Sequence, residues 1–182
     1  MTTPRFARDS AALLVIDVQE RLCAAMPVEG LARVVNRTRA AILGAQALGI
    51  PVVVTEQYPK GLGPTLKDVK DLFPNFAPVE KVEFSAWLPA VREQLTGRSE
   101  VLVVGMEAHV CVFQTTRDLV QAGLAAFVAE DAIISRTDVD RAAGVRLCEK
   151  AGAAITTVEA ALFDALGRAG SPEFKAVSNA VK

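Results

Sequence analysis

Histidine, tryptophan and tyrosine each occur once in this 182-residue chain, and cysteine three times. With one imidazole (His109) and three thiols (Cys23, Cys111, Cys148) at no ligand spacing, no cofactor or catalytic metal is expected. The same cysteines show no disulfide pattern and fit a reducing, cytoplasmic setting. No run approaches the ~20 apolar residues of a membrane span. Nor is there a basic block: 20 basic and 21 acidic residues leave a net charge of -1, so neither nucleic acid nor an anionic membrane is an expected partner. Met1 to Ser10 lack the apolar h-region of a secretory signal, and none is expected. Internal repeats and low-complexity linkers are also missing.

Apolar residues are plentiful, at 51% with mean hydropathy +0.30. A chain of this length suits one domain, 1–182, with a substantial core. The apolar surplus points to a subunit interface and a homo-oligomer, with Ser171 to Lys182 and the helix after Cys111 as candidate contacts.

Strand-like and helix-like patterns alternate from end to end. Ala11 to Ile16 is a continuous apolar run closed by Asp17, the pattern of a strand covered on both faces. Leu31, Val34, Val35, Thr38, Ile42 and Leu48 keep helical spacing, with Gly49 as a stop. Further strands are expected at Pro51 to Thr55, Pro78 to Val82, Val101 to Val104, Ala125 to Ala129 and Ala153 to Val158. Helices are expected after Ser85 as cap, at Val112 to Ala122, around Val139 to Leu147, and after Ser171-Pro172. This rhythm predicts a three-layer αβα fold with a Rossmann-like, six-stranded, mostly parallel sheet. The one long irregular stretch, Glu56 to Ala77, reads as a lid or binding loop, a passive surface excursion being the alternative.

In open α/β sheets ligands sit beyond the carboxyl ends of the strands, where strand order reverses. Asp17, Lys81 and Cys111 all fall on such ends. Cys111 follows the strand ended by Gly105, on a turn into a helix whose positive end favours a thiolate, so a depressed pKa is expected. Asp17 can take the thiol proton or pass it to a leaving group, while Lys81 can stabilise the thiolate and orient the carboxylate. Each has a plain alternative: a turn cap, a solvated edge charge and a core thiol respectively. Three such residues at strand ends favour the working set.

At these residues the chain resembles the isochorismatase-like cysteine hydrolase superfamily. The matching pieces are Leu14-Val-Ile-Asp17-Val-Gln19, Glu80-Lys81-Val-Glu-Phe84-Ser85 and Gly105-Met-Glu-Ala-His-Val-Cys111-Val, in the family's order, over roughly Ala11 to Leu166. Thr55-Glu-Gln-Tyr-Pro-Lys-Gly-Leu-Gly-Pro-Thr65 is similar to the branch of isochorismatase-domain-containing hydrolases of unassigned substrate. The resemblance implies an Asp17-Lys81-Cys111 triad, a cis peptide at Met106-Glu107, and an oxyanion hole from the N–H groups of Glu107 and Cys111. It implies amide hydrolysis through a Cys111 thioester. Cys111 argues against the vinyl-ether chemistry of isochorismatases proper, and the single histidine against the metal site of nicotinamidases. Gln19, Tyr58, Phe84 and Trp87 are expected to line the substrate pocket. His109 is expected outside the sulfur's reach; the Glu107 side chain either meets substrate or points away.

The leading expectation is therefore a metal-independent cysteine hydrolase of a small-molecule C–N bond. The alternative is a catalytically silent binding or scaffold module on the same fold. A thiol redox protein is a third reading, weakened because no resolving cysteine lies near Cys111 in sequence.

Overall fold

All six residues of β1 (Ala11–Ile16) are buried, because this strand lies mid-sheet with helices on both faces. The computed structural model describes residues 5–182; of Met1 to Ser10, where no secretory signal is expected, Met1 to Pro4 lie outside the described residues. After β1 come α1 (Glu20–Ala24), α2 (Val28–Leu48), β2 (Val52–Gln57), α3 (Pro59–Leu62), α4 (Lys67–Lys70), β3 (Val79–Lys81), α5 (Pro89–Gln94) and β4 (Glu100–Met106). A π-helical turn (Ala108–Val112) leads into α6 (Phe113–Gln121), followed by β5 (Ala125–Ile134), α7 (Asp138–Lys150), β6 (Ala154–Thr156), α8 (Val158–Leu166) and α9 (Phe174–Ala180).

Among the described residues six strands form one sheet in the order β3-β2-β1-β4-β5-β6, and every strand pair is parallel. The sheet is thus entirely parallel rather than mostly so. Side chains alternate across it with the two-residue period of a strand. Ala11, Leu13 and Val15 join one core cluster with residues of α2, α8 and α9. Ala12, Leu14 and Ile16 join the other with Val91, Leu119 and Cys148, from α5, α6 and α7. Strand order reverses between β1 and β4, so a crevice opens beyond their carboxyl ends.

Boundary differences have local causes. Helix α2 stops where expected: Gly49 takes φ 70 and returns its N–H to Ala45 and Gln46 carbonyls. Ser85 does not cap the helix after β3; α5 begins at Pro89, and the Ser85 hydroxyl instead accepts the Trp87 N–H at 3.2 Å. Strand β5 runs past the expected Ala129 to Ile134 because a register shift lets it bulge over Glu130 and Asp131 and rejoin β4 at Gly105 and Met106. Asp131 then accepts the Val158 N–H at 3.0 Å at the start of α8, a helix the sequence reading did not assign; the strand expected to reach Val158 ends at Thr156. The tail helix α9 packs on α2 and buries Val177 completely, so its apolar side belongs to this chain's own core.

The long segment after β2 is tightly tied. The Thr65 N–H and hydroxyl both donate to Glu56 Oε1 at 2.7 Å. Arg21 reaches the Gly61 carbonyl at 2.8 Å, and Leu66 N–H reaches the Val18 carbonyl at 2.9 Å. The Tyr58 ring lies over Gly61, where a β-carbon would meet it at 2.4 Å.

Candidate active site

Asp17 is the first residue beyond β1 and adopts φ 53, a left-handed conformation that a short polar side chain tolerates. The turn aims its carboxylate into the crevice with 0% exposure. Lys81, the last residue of β3, donates to Asp17 Oδ2 at 2.7 Å, and both side chains are fully buried. The ammonium also donates to Gln57 Oε1 at 2.7 Å and faces the carbonyls of Glu83 and Phe84 at 3.2 and 3.1 Å. Thr55, in the carboxyl half of β2, donates its hydroxyl to Asp17 Oδ1 at 2.7 Å. Every oxygen of the carboxylate is therefore engaged, as a buried charge requires.

Cys111 lies in the π-helical turn, 5% exposed, where the Asp17 carboxylate and the Glu107 N–H both act on the proton affinity of its thiol. The peptide between Met106 and Glu107 is cis. The expected resting thiolate is not what this environment supports. Burial first, and the Asp17 charge second, push the Cys111 thiol from 9.0 up to about 12, outweighing Lys81 and the Glu107 N–H. Burial likewise holds the Asp17 carboxyl above its ordinary range, opposed by Lys81 and Thr55. At rest the pair is a neutral thiol beside a carboxylate salt-bridged to an ammonium.

Sequence reasoning placed the three ionisable residues, and the structure brings them together. It gave no place to Thr55 and Gln57, which orient the pair; the signal was the switch from Val52-Val-Val to Thr-Glu-Gln at the carboxyl end of a strand. The Glu107 side chain points away from the sulfur, its Oε2 accepting the Arg136 N–H at 3.0 Å and Nε at 3.1 Å. His109 Nδ1 lies 3.0 Å from Ser135 Oγ. Both contacts exist because the bulged β5 carries Ser135 and Arg136 alongside the end of β4.

Of the expected pocket walls, Tyr58 lines a cavity of about 390 Å³ with Pro59, Lys60, Lys81, Val82 and Glu83. Phe84 is half exposed and contributes its carbonyl to Lys81. Two of the four need correcting. Gln19 is fully buried, and its amide donates to the Gln57 and Gly63 carbonyls at 3.0 and 2.7 Å while accepting the Gln57 N–H at 2.8 Å. It clamps the loop to β2 and has no donor left for substrate. Trp87 lines a different cavity, of about 470 Å³, with Ser85, Arg92 and Asp118, its ring stacked on Arg92 at 5.2 Å. Among the described residues no group of three His, Cys, Asp or Glu side chains is arranged to hold a metal ion, and no helix is long and apolar enough to cross a membrane.

A doubly wound parallel sheet with a thiol, a carboxylate and an ammonium converging at its switch point defines a class of α/β proteins with an enzyme-like site. The Isochorismatase domain model matches residues 11–160, and the chain belongs to that family of isochorismatase-like hydrolases. It is 37% identical over 188 residues to a secreted isochorismatase effector, Isc1, of Phytophthora sojae, covering 98% of this chain and 87% of that protein. It is 35% identical over 176 residues to isochorismatase domain-containing protein 2 of Bos taurus, covering 95% and 83%. A solved structure described as the MAR1 ribonuclease of Caenorhabditis elegans is 37% identical with a TM-score of 0.92, covering 98% of this chain and 92% of that one.

Proposed function

We propose that the chain is a metal-independent cysteine hydrolase that cleaves a C–N bond of a small amide-type molecule. The observation that carries this reading is the thiol of Cys111 set against a carboxylate whose two oxygens are held by Lys81 and Thr55, each at 2.7 Å. Asp17 takes the thiol proton as the sulfur attacks the carbonyl carbon. The N–H groups of Glu107 and Cys111 receive the developing oxyanion, a contribution of ~10²-fold or more per donor. The tetrahedral adduct collapses to a thioester, the C–N bond breaks, and Asp17 gives its proton to the leaving amine. Water then attacks the thioester with Asp17 again accepting a proton, the C–S bond breaks to release the acid, and Asp17 returns the proton to the Cys111 sulfur. Lys81 keeps Asp17 oriented and holds it in the charged form between proton transfers.

The test is a screen of small amides, ureides and carbamoyl compounds for ammonia or amine release, run on the wild type and Cys111→Ala together. An RNA oligonucleotide is included because of the name carried by the Caenorhabditis elegans relative. Turnover by the wild type and none by Cys111→Ala is the expected result. Wild-type turnover retained by Cys111→Ala refutes the thioester mechanism, and no turnover of any compound favours the silent binding module. The three buried, unpaired cysteines are the basis for proposing a reducing compartment such as the cytoplasm. A homo-oligomer is proposed from the apolar surplus, with Tyr58, Val82 and Phe84, exposed by 54%, 69% and 54%, as contact candidates.

A further inference from the structure

Gly144 lies in the middle of α7, buried, where a helix interior ordinarily disfavours glycine relative to alanine. What it faces explains its presence. A β-carbon at this position would stand 2.5 Å from the carbonyl carbon of Ala108, 2.7 Å from its oxygen and 2.7 Å from the amide nitrogen of His109. Ordinary contact begins at 3.4 Å. The obstructing atoms are backbone and cannot rotate aside, so any side chain forces α7 and the π-helical turn apart. Gly44 in α2 is a useful contrast: there the three nearest atoms to a β-carbon are all side-chain carbons of Leu162, the nearest at 2.4 Å. A leucine can change rotamer.

The turn that α7 presses on is the one carrying Cys111. Val145 and Cys148 of α7 pack in the same cluster as Ala108, Cys111 and Val112. Just before α7, Arg136 is bound to the Glu107 carboxylate. Asp17 is held independently, by β1, Thr55 and Lys81. The distance between thiol and carboxylate is thus set by two separate supports.

We propose that Gly144 is a positioning residue for the nucleophile: its missing side chain seats the turn against α7, and that seat sets where the Cys111 sulfur stands relative to Asp17. The inference rests on the nucleophile reading of Cys111. A wedge at Gly144 moves the sulfur and leaves the carboxylate where it is. Misplacement by about 1 Å costs ~10²-fold in rate.

The experiment compares Gly144→Ala with Gly44→Ala on two readouts. One is kcat and KM on the amide that the screen identifies. The other needs no substrate: the pH profile of Cys111 alkylation by iodoacetamide, followed by mass spectrometry of its peptide. Gly144→Ala is expected to lose ~10²-fold in kcat with KM little changed. Its alkylation profile is expected to move by about one pH unit toward the ordinary thiol range. Gly44→Ala is expected to match the wild type on both. A folded Gly144→Ala with wild-type kcat and profile overturns the proposal, as does an equal loss in Gly44→Ala. Should Gly144→Ala not fold, Cys148→Met decides, since it adds bulk one helical turn further on the same face of α7. A profile displaced in the same direction supports the proposal, and an unmoved one overturns it. Turnover retained by Cys111→Ala refutes the hydrolase mechanism instead, while the displaced alkylation profile would still be read.

Discussion

The two halves of the site are held by different physics. On the nucleophile side, residues 105–112 are positioned by backbone packing. A β-carbon at Gly105 would lie 2.0 Å from the Ile16 carbonyl oxygen, and one at Gly144 would run into Ala108. On the Asp17 side, position comes from side-chain hydrogen bonds: Thr55 and Lys81 to the carboxylate, Gln57 to the ammonium, Gln19 to the backbone behind them. A packed site fails when atoms are added. A polar network fails when one partner is removed, because the remaining group stays buried without compensation.

The largest effect expected from breaking the polar half is on turnover. Asp17→Asn, Lys81→Ala and Cys111→Ala should each remove most activity, and double variants should lose little more, since residues acting in one step are strongly non-additive. Kinetics on the identified substrate check this; losses that multiply would show that the two halves work independently. Stability should separate them further. Lys81→Ala leaves a fully buried carboxylate without its charge partner and is expected to cost about 3–5 kcal/mol by denaturant unfolding. Cys111→Ala, which removes one sulfur at a turn, should leave folding largely unaffected.

A smaller effect concerns the supports. Thr55→Val keeps the shape but leaves Asp17 Oδ1 without its hydroxyl donor, at an expected cost of about 1–3 kcal/mol in unfolding free energy. It should also raise the pH at which activity fails in acid. In the proposed mechanism the acid limb reports protonation of Asp17, whose folded pKa already lies above its ordinary 3.8 through burial. Removing a donor that favours the charged form moves it higher. Asp17→Asn should abolish that limb in whatever activity remains.

The smallest expected effect appears in alkali. Burial pushes Cys23 and Cys111 to about 12 and Cys148 to about 11, from 9.0. The unfolded chain therefore loses these protons first as pH rises. Their contribution to stability is full below pH 9.0 and is lost as the pH climbs through the folded values. Melting temperature measured from pH 7 to 10 should fall, and less steeply in Cys23→Ala; an unchanged slope would place Cys23 in a wetter setting than its 3% exposure indicates.

Ala11 to Ile16 was readable as a buried strand because an uninterrupted apolar run has few other soluble uses, and Gly49 as a helix stop because glycine takes a left-handed φ without strain. Asp17 and Lys81 were readable as strand-end residues because each closes a strand-like run, and Cys111 because it follows the run that Gly105 ends. Local pattern likewise gave six strands and an αβα class. It did not give the far half of β5, where Glu130 and Asp131 interrupt the apolar run although the strand bulges over them and resumes.

What tertiary structure alone decided was the environment at each position. A helix start beside a lysine suggested a thiolate from sequence, yet the fold buries Cys111 against Asp17, and desolvation outweighs both. Gln19 looked like a pocket wall from its place in a motif, but Gln57 and Gly63, distant in sequence, engage its amide. Nothing near Gly144 in the chain indicates that it faces Ala108, because the two residues lie more than thirty positions apart in sequence. Periodicity and strand ends are local properties that a sequence carries in itself, whereas proton affinity, hydrogen-bond partners and close backbone approach depend on which segments meet in space.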